Sequence, residues 1–195
     1  IRPGIYQQPY PKFYLGGGSE RAKLMSARHS DVHLFWGDHL DRIAAHIKTI
    51  RELAGANGRG EQIGFGMRLQ IVCRETEEEA WAFANQLIEG ASDKHKDMIK
   101  TMFAASEANK RMQELSQTEG QLIIPNLWTG ITEVRPGAGV AIVGNPEQCA
   151  ATLQRFIDVG CHSFCLSGYL HDDEAERFGA SVLPLVKANN PGRFI

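Results

Sequence analysis

Apolar and polar positions along the chain fall into alternating short and long blocks. Phe13-Tyr14-Leu15 is a short aromatic run ending at Gly16-Gly17-Gly18-Ser19. It predicts a strand, a glycine turn and a helix from Glu20 to about His29 with Ser19 as N-cap. Val32 to Trp36 is a second apolar run that stops at Gly37-Asp38, and Ile43, Ile47, Ile50 and Ala54 then recur at helical spacing. That places a helix after the strand with Asp38 near its start. Gly64 to Cys73 reads as a third strand, and Thr76-Glu77-Glu78-Glu79 is a capping-box start for a helix carrying Trp81, Ala84, Leu87 and Ile88.

The rhythm breaks over 92–139. A polar, helix-prone stretch with Met98, Met102 and Phe103 comes first, then Ile123 to Trp128, then Arg135-Pro136-Gly137-Ala138-Gly139. An insertion of that length inside a compact unit is usually functional or mobile rather than a plain connector. Asn145-Pro146 then opens a helix whose apolar side is Leu153, Phe156 and Ile157. Ser163 to Ser167 is a fourth strand, and the last helix carries Ala175, Phe178, Gly179, Val182 and Val186 on one face. Four strand–helix units predict an α/β fold with a parallel sheet covered by helices. They amount to half of a (β/α)₈ barrel, which needs about 250 residues. An open four-stranded doubly wound sheet satisfies the same pattern.

Composition narrows the function classes. The 195 residues are 43% hydrophobic and 23% charged with a net charge of −2, which describes a globular protein with a buried core. No Lys/Arg run suggests a nucleic-acid surface, and no apolar run approaches the roughly 18 residues of a membrane span. Cys73, Cys149, Cys161 and Cys165 form no CxxC pair, the seven histidines form no ligand set, and no metal is expected. Unpaired cysteines in apolar runs point to a reducing cytoplasmic compartment. The chain opens with Ile1, and Pro3-Gly4 to Pro11 reads as a connecting loop, so an N-terminal portion is expected to precede it.

Some residues stand out chemically. Gly17, Gly18 and Ser19 sit where a strand ends and a helix begins, and exposed N–H groups there suit a phosphate as well as an ordinary tight turn. In Gly66-Met67-Arg68-Leu69-Gln70, Arg68 and Gln70 share the face opposite Met67 and Leu69. An Arg inside a buried strand needs a partner: either a carboxylate within the barrel or an anionic substrate. Arg135 is either a solvated loop residue or a lid cation. Tyr169 ends the last strand, where a buried phenol needs one hydrogen bond. Trp36 ends another strand, as core or as the wall of an aromatic-cofactor pocket.

Taken together, several segments resemble the alkanesulfonate monooxygenases of the luciferase-like kind. They are Gln7-Gln8-Pro9-Tyr10-Pro11, Tyr14-Leu15-Gly16-Gly17, Trp36-Gly37, Gly66-Met67-Arg68-Leu69 with Arg74-Glu75-Thr76, Pro125-Asn126-Leu127-Trp128, Val134 to Gly139 and Phe164 to Tyr169. The likeness implies that residues 1–195 are the C-terminal half of a (β/α)₈ barrel with a lid at 92–139. It implies reduced FMN (FMNH₂) delivered by a separate NAD(P)H-dependent FMN reductase, and a flavin C4a-(hydro)peroxide that splits an organosulfonate into sulfite and an aldehyde. Gly17, Gly18 and Ser19 would hold the FMN phosphate and Trp36 would lie near the flavin. Arg68, Arg135 and Tyr169 would be catalytic, and Arg68, Gln70 and Arg135 would bind substrate. Self-association is expected from family habit. Gln70 departs from the family's His, which leaves another sulfur compound or a long-chain substrate open. A shortened, non-catalytic flavin-binding homologue is the remaining alternative.

Overall fold

The computed structural model describes residues 4–102 and 106–193; Pro3, at the start of the expected loop, and Phe103 lie outside them. The four expected strands form and lie side by side. β1 (Tyr14–Gly16) pairs with β2 (Val32–Trp36), β2 with β3 (Gly64–Cys73), and β3 with β7 (Ser163–Ser167), all parallel. Between them run α1 (Glu20–His29), α2 (Leu40–Gly55), α3 (Glu77–Ile88) and α6 (Pro146–Asp158), and α7 (His171–Arg177) follows β7. The last helix is broken: a π turn at Phe178–Val182 leads into α8 (Leu183–Asn189).

Capping chemistry sets several of these starts. Ser19 Oγ accepts the Ala22 N–H, and full capping boxes join Thr76 with Glu79 and Asn145 with Gln148. α2 begins at Leu40, two residues beyond Asp38. His39 occupies the cap position without a side-chain bond, and the Asp38 carboxylate accepts the His39 N–H at 2.7 Å.

Alternation within the sheet separates half a barrel from a doubly wound sheet. Phe35, Met67 and Leu69 project to one face and pack with Ile43, Ile47 and Phe156 of α2 and α6 in the main core. The other face of the four strands carries Tyr14 (51% exposed), Trp36, Arg68 and the exposed Cys165. A doubly wound sheet would bury both faces beneath helices. The concave, uncovered face is that of a half barrel. β1 and β7 each pair on one side only among the described strands.

Three strands were not anticipated. β6 (Ala141–Gly144) runs parallel to β3 and takes up Gln70–Cys73, beyond the Gly64–Arg68 stretch that β2 pairs. Gly37 permits this, since a Cβ there would lie 2.6 Å from Val140 and 2.8 Å from Leu69. β5 (Leu127–Trp128) adds antiparallel to β6, and β4 (Leu122–Ile124) adds antiparallel to β5. The 92–139 segment therefore carries its own structure: α4 (Asp93–Met102), α5 (Glu107–Leu115) and this hairpin. α3 packs over the extension, burying Ala80 and Ala84 against Val72, Trp128 and Val143.

Candidate functional site at the carboxyl ends of the strands

The turn after β1 is built for close approach to α1. Gly17 has φ +146°, and a Cβ there would sit 2.7 Å from that of Ala22. Ser19 spends its acceptor on the cap at 3.2 Å, which leaves its hydroxyl proton free to point outward. The first N–H groups of α1 and the positive end of its dipole face the same way. Gly17, Gly18, Ser19 and Trp36 line one cleft of about 480 Å³, closed on its far side by α2 and α5.

Asp38 holds that far side together. Its carboxylate, in a residue 5% exposed, accepts Arg111 Nε at 2.8 Å and Nη2 at 2.7 Å, and pairs with Arg42 Nε at 3.2 Å. Arg111 belongs to α5, so a two-pronged ion pair ties the inserted segment to the barrel mouth. This pairing raises the Arg111 pKa, with the Asp38 hydrogen bonds as the largest cause. His33 and His46 line the same cleft, and burial lowers the pKa of both. His46 is half-buried there.

Arg68 lies on the concave face, opposite Trp36 on one neighbouring strand and Cys165 on the other. Its Nη1 donates to the carbonyls of Leu69 at 2.8 Å and Cys165 at 3.4 Å. Among the described residues no carboxylate pairs with it, so the intrabarrel ion pair that would explain a structural Arg is not formed. Gln70, two residues on, is 1% exposed. Its Nε2 donates to the Ala138 carbonyl at 2.9 Å, and its Oε1 is buried without a partner. Gln70 thus grips the end of the inserted segment. Arg135 is not a free loop cation, since its Nη1 donates to the Tyr169 hydroxyl at 3.2 Å.

The expected site residues are divided between two hollows and the strand face. Arg135 lines a second hollow, about 630 Å³, with Ile99, Met112 and Pro136. Lys110, Met112 and Glu114 of α5 line both hollows, so this one helix is their common wall. Arg68, Gln70 and Tyr169 line neither.

Sequence reading missed Asp38, Arg111 and Glu174 as organisers. Glu174 is 2% exposed, bonds Arg74, accepts Arg177 at 2.8 Å and receives the Cys73 N–H at 3.2 Å. It locks the end of β3 to the turn that presents Tyr169. The partners lie 73 and 100 residues apart in sequence, and no local signal pairs them.

The model of the luciferase-like monooxygenase family matches residues 1–163. The chain belongs to that family. Several solved structures share the fold. An EDTA monooxygenase (EmoA) from Chelativorans sp. BNC1 matches with a TM-score of 0.72 at 16% identity, over 100% of this chain and 48% of that one. DmoA from Hyphomicrobium sulfonivorans gives 0.72 at 19%, over 93% and 42%. A riboflavin lyase (RcaE), solved with a modified FMN and riboflavin, gives 0.69 at 20%, over 92% and 43%. At these identities the likeness establishes the fold. The chain spans less than half the length of each of these proteins, in keeping with a half barrel. No helix among the described residues is long and apolar enough to cross a membrane.

Proposed function

We propose that the full-length protein is a two-component, FMNH₂-dependent monooxygenase that desulfonates alkanesulfonates to an aldehyde and sulfite. A separate NAD(P)H-dependent reductase would supply the reduced flavin. The observation that carries the reading is Arg68: a guanidinium on the concave face of a barrel strand, held by two carbonyls and, among the described residues, by no carboxylate. Such a cation is poised for an external anion, and its planar fork matches a sulfonate.

The residues present also fit the cofactor. The Gly17–Ser19 turn leaves no room for a Cβ at Gly17 and directs N–H groups outward, a cradle suited to a phosphate monoester. Trp36 lies beside it on the cleft wall. When bound, reduced flavin supplies two electrons and activates O₂. In the net reaction the C–S bond breaks, one oxygen atom enters the aldehyde, the other leaves as water, and sulfite departs with the bonding pair. The chain's own groups bind and orient. Arg68 and Arg135 stabilise the anion that develops, and Tyr169, already accepting from Arg135, keeps its phenol proton to donate to the reacting oxygen. The inserted segment excludes water by closing over the mouth.

The test is sulfite release by the full-length protein with an FMN reductase, NADH and O₂ across a panel of alkanesulfonates. Release from at least one member is expected; none across the panel ends the sulfonate reading. Gln70 favours a second reading, a related monooxygenase acting on another sulfur compound or a long-chain substrate. Its amide is neutral and already committed to Ala138, so it contributes no proton. Oxygenated product from such a substrate, without sulfite, would select this reading.

A further inference from the structure

We propose that Arg111 reads the phosphate of the bound flavin, making it a specificity residue that selects FMN over riboflavin. The inference rests on the reading of the cleft as the flavin phosphate site. It adds a contact from the inserted segment that the glycine turn alone does not provide.

Three features of the cleft lead to it. Arg111 and the Gly17–Ser19 turn line the same 480 Å³ space, so an anion seated on the N-terminus of α1 faces α5. Arg111 is pre-aimed: Nε and Nη2 are fixed on Asp38 and Nη1 on Glu114 at 3.0 Å. A guanidinium has five N–H donors, so one hydrogen on each Nη is left over after these three bonds. Finally, the cleft holds an unmet polar group. His33 lines it, is 1% exposed, and has an Nδ1 with no partner. A buried polar atom left unpaired in an otherwise satisfied site marks a place where a ligand or its water completes the bonding.

The carboxylates of the cleft do not oppose an anion, because each is already matched. Glu20 pairs with Lys23 at 2.8 Å and Glu107 with Lys110 at 3.1 Å, Asp38 pairs with both Arg42 and Arg111, and Glu114 pairs with Arg111. A phosphate monoester arriving at α1 therefore meets N–H dipoles and the outer edge of a guanidinium. Riboflavin, which ends in a hydroxyl, offers no charge to either. The Asp38–Arg111 pair holds the cation in place for the phosphate.

The experiment measures dissociation constants of FMN and riboflavin for the full-length protein by flavin fluorescence, with inorganic phosphate as competitor. The wild type is expected to bind FMN at least about tenfold more tightly than riboflavin, and phosphate should weaken only FMN. Arg111→Met should lower the FMN-to-riboflavin preference by about tenfold or more and leave riboflavin binding unchanged. Arg111→Lys, which keeps the charge but loses the fork, should fall between, and it decides the matter if the Met variant does not fold. A preference unaltered by either substitution overturns the proposal and leaves Arg111 a mere fastener of α5. Equal wild-type binding of both flavins overturns it while leaving flavin binding intact. Binding of neither flavin removes the underlying reading of the cleft as well.

Discussion

Arg135 donates through Nη1 to the phenol oxygen of Tyr169 at 3.2 Å, linking the end of the inserted segment to the turn after the last barrel strand. The two residues are 34 positions apart, and they meet only because β6 carries the chain back beside β3. If the pair acts as a unit, removing either member should cost nearly as much as removing both. Tyr169→Phe and Arg135→Met are each expected to lower kcat by about 10²-fold in the full-length protein, and the double variant by little more. Fully multiplicative losses in a double-mutant cycle would show two independent groups.

Arg68 should separate activity from stability. Its hydrogen bonds go to two backbone carbonyls, and no buried carboxylate is stranded when it is removed. Arg68→Met should therefore shift Tm by no more than a few degrees, while sulfite release falls by about 10²–10³-fold. Exogenous guanidinium should restore part of the rate. A large drop in Tm with a proportionate loss of activity would make Arg68 a structural residue.

Gln70 presents the opposite balance. Replacing it with Met leaves the Ala138 carbonyl without its 2.9 Å partner but also removes an unsatisfied Oε1. The two effects oppose each other, and a net loss of about 1 kcal/mol is expected in urea unfolding. The 135–140 stretch should then exchange its amide hydrogens faster, because its anchor to β3 is gone. Unchanged exchange there would deny Gln70 any role in holding the segment.

The local parts of this fold were legible and the distant ones were not. Ser19, Thr76 and Asn145 announce helices because the cap and its partner lie within one turn. The 64–73 strand shows its two faces by alternation alone, so the placement of Arg68 opposite Met67 and Leu69 could be read directly. β6 escaped because four residues between a Gly/Pro stretch and a capped helix carry too little periodicity to register. The division of the site was hidden for a different reason. It depends on α5, and α5 is placed by Asp38 and Arg111, a pair that only the tertiary structure brings together. Gln70 stands where the family resemblance implies a substrate-side residue, yet its amide is taken by a carbonyl of the chain itself, 68 residues later.

Glu174 is expected to be the most costly single polar position. It is 2% exposed and bonded to Arg74, Arg177 and the Cys73 N–H. Glu174→Gln leaves the Arg74 guanidinium, 15% exposed, without its charge partner at the end of β3. A loss of about 3 kcal/mol is expected, in line with breaking a buried pair by removing one member. Replacing Glu174 and Arg74 together by apolar residues should recover part of it. A loss below about 1 kcal/mol for Glu174→Gln would show that solvent reaches the pair.

His33 ties stability to pH in a direction that can be worked out. Burial, with smaller contributions from His46 and Lys23, lowers its pKa from 6.5 to about 4. The unfolded chain therefore binds more protons than the folded one between those values, and stability rises with pH across that window. The contribution is complete above about pH 6.5 and is lost as the pH falls toward 4. Between pH 7 and pH 5 the difference amounts to about 2 kcal/mol. His33→Phe, which suits the aromatic contact with Phe35 at 4.6 Å, should flatten most of this slope. His46 and His162, whose pKa values burial also lowers, contribute to what remains. Urea unfolding at the two pH values decides it: an acid slope that survives His33→Phe intact would assign the sensitivity to another group.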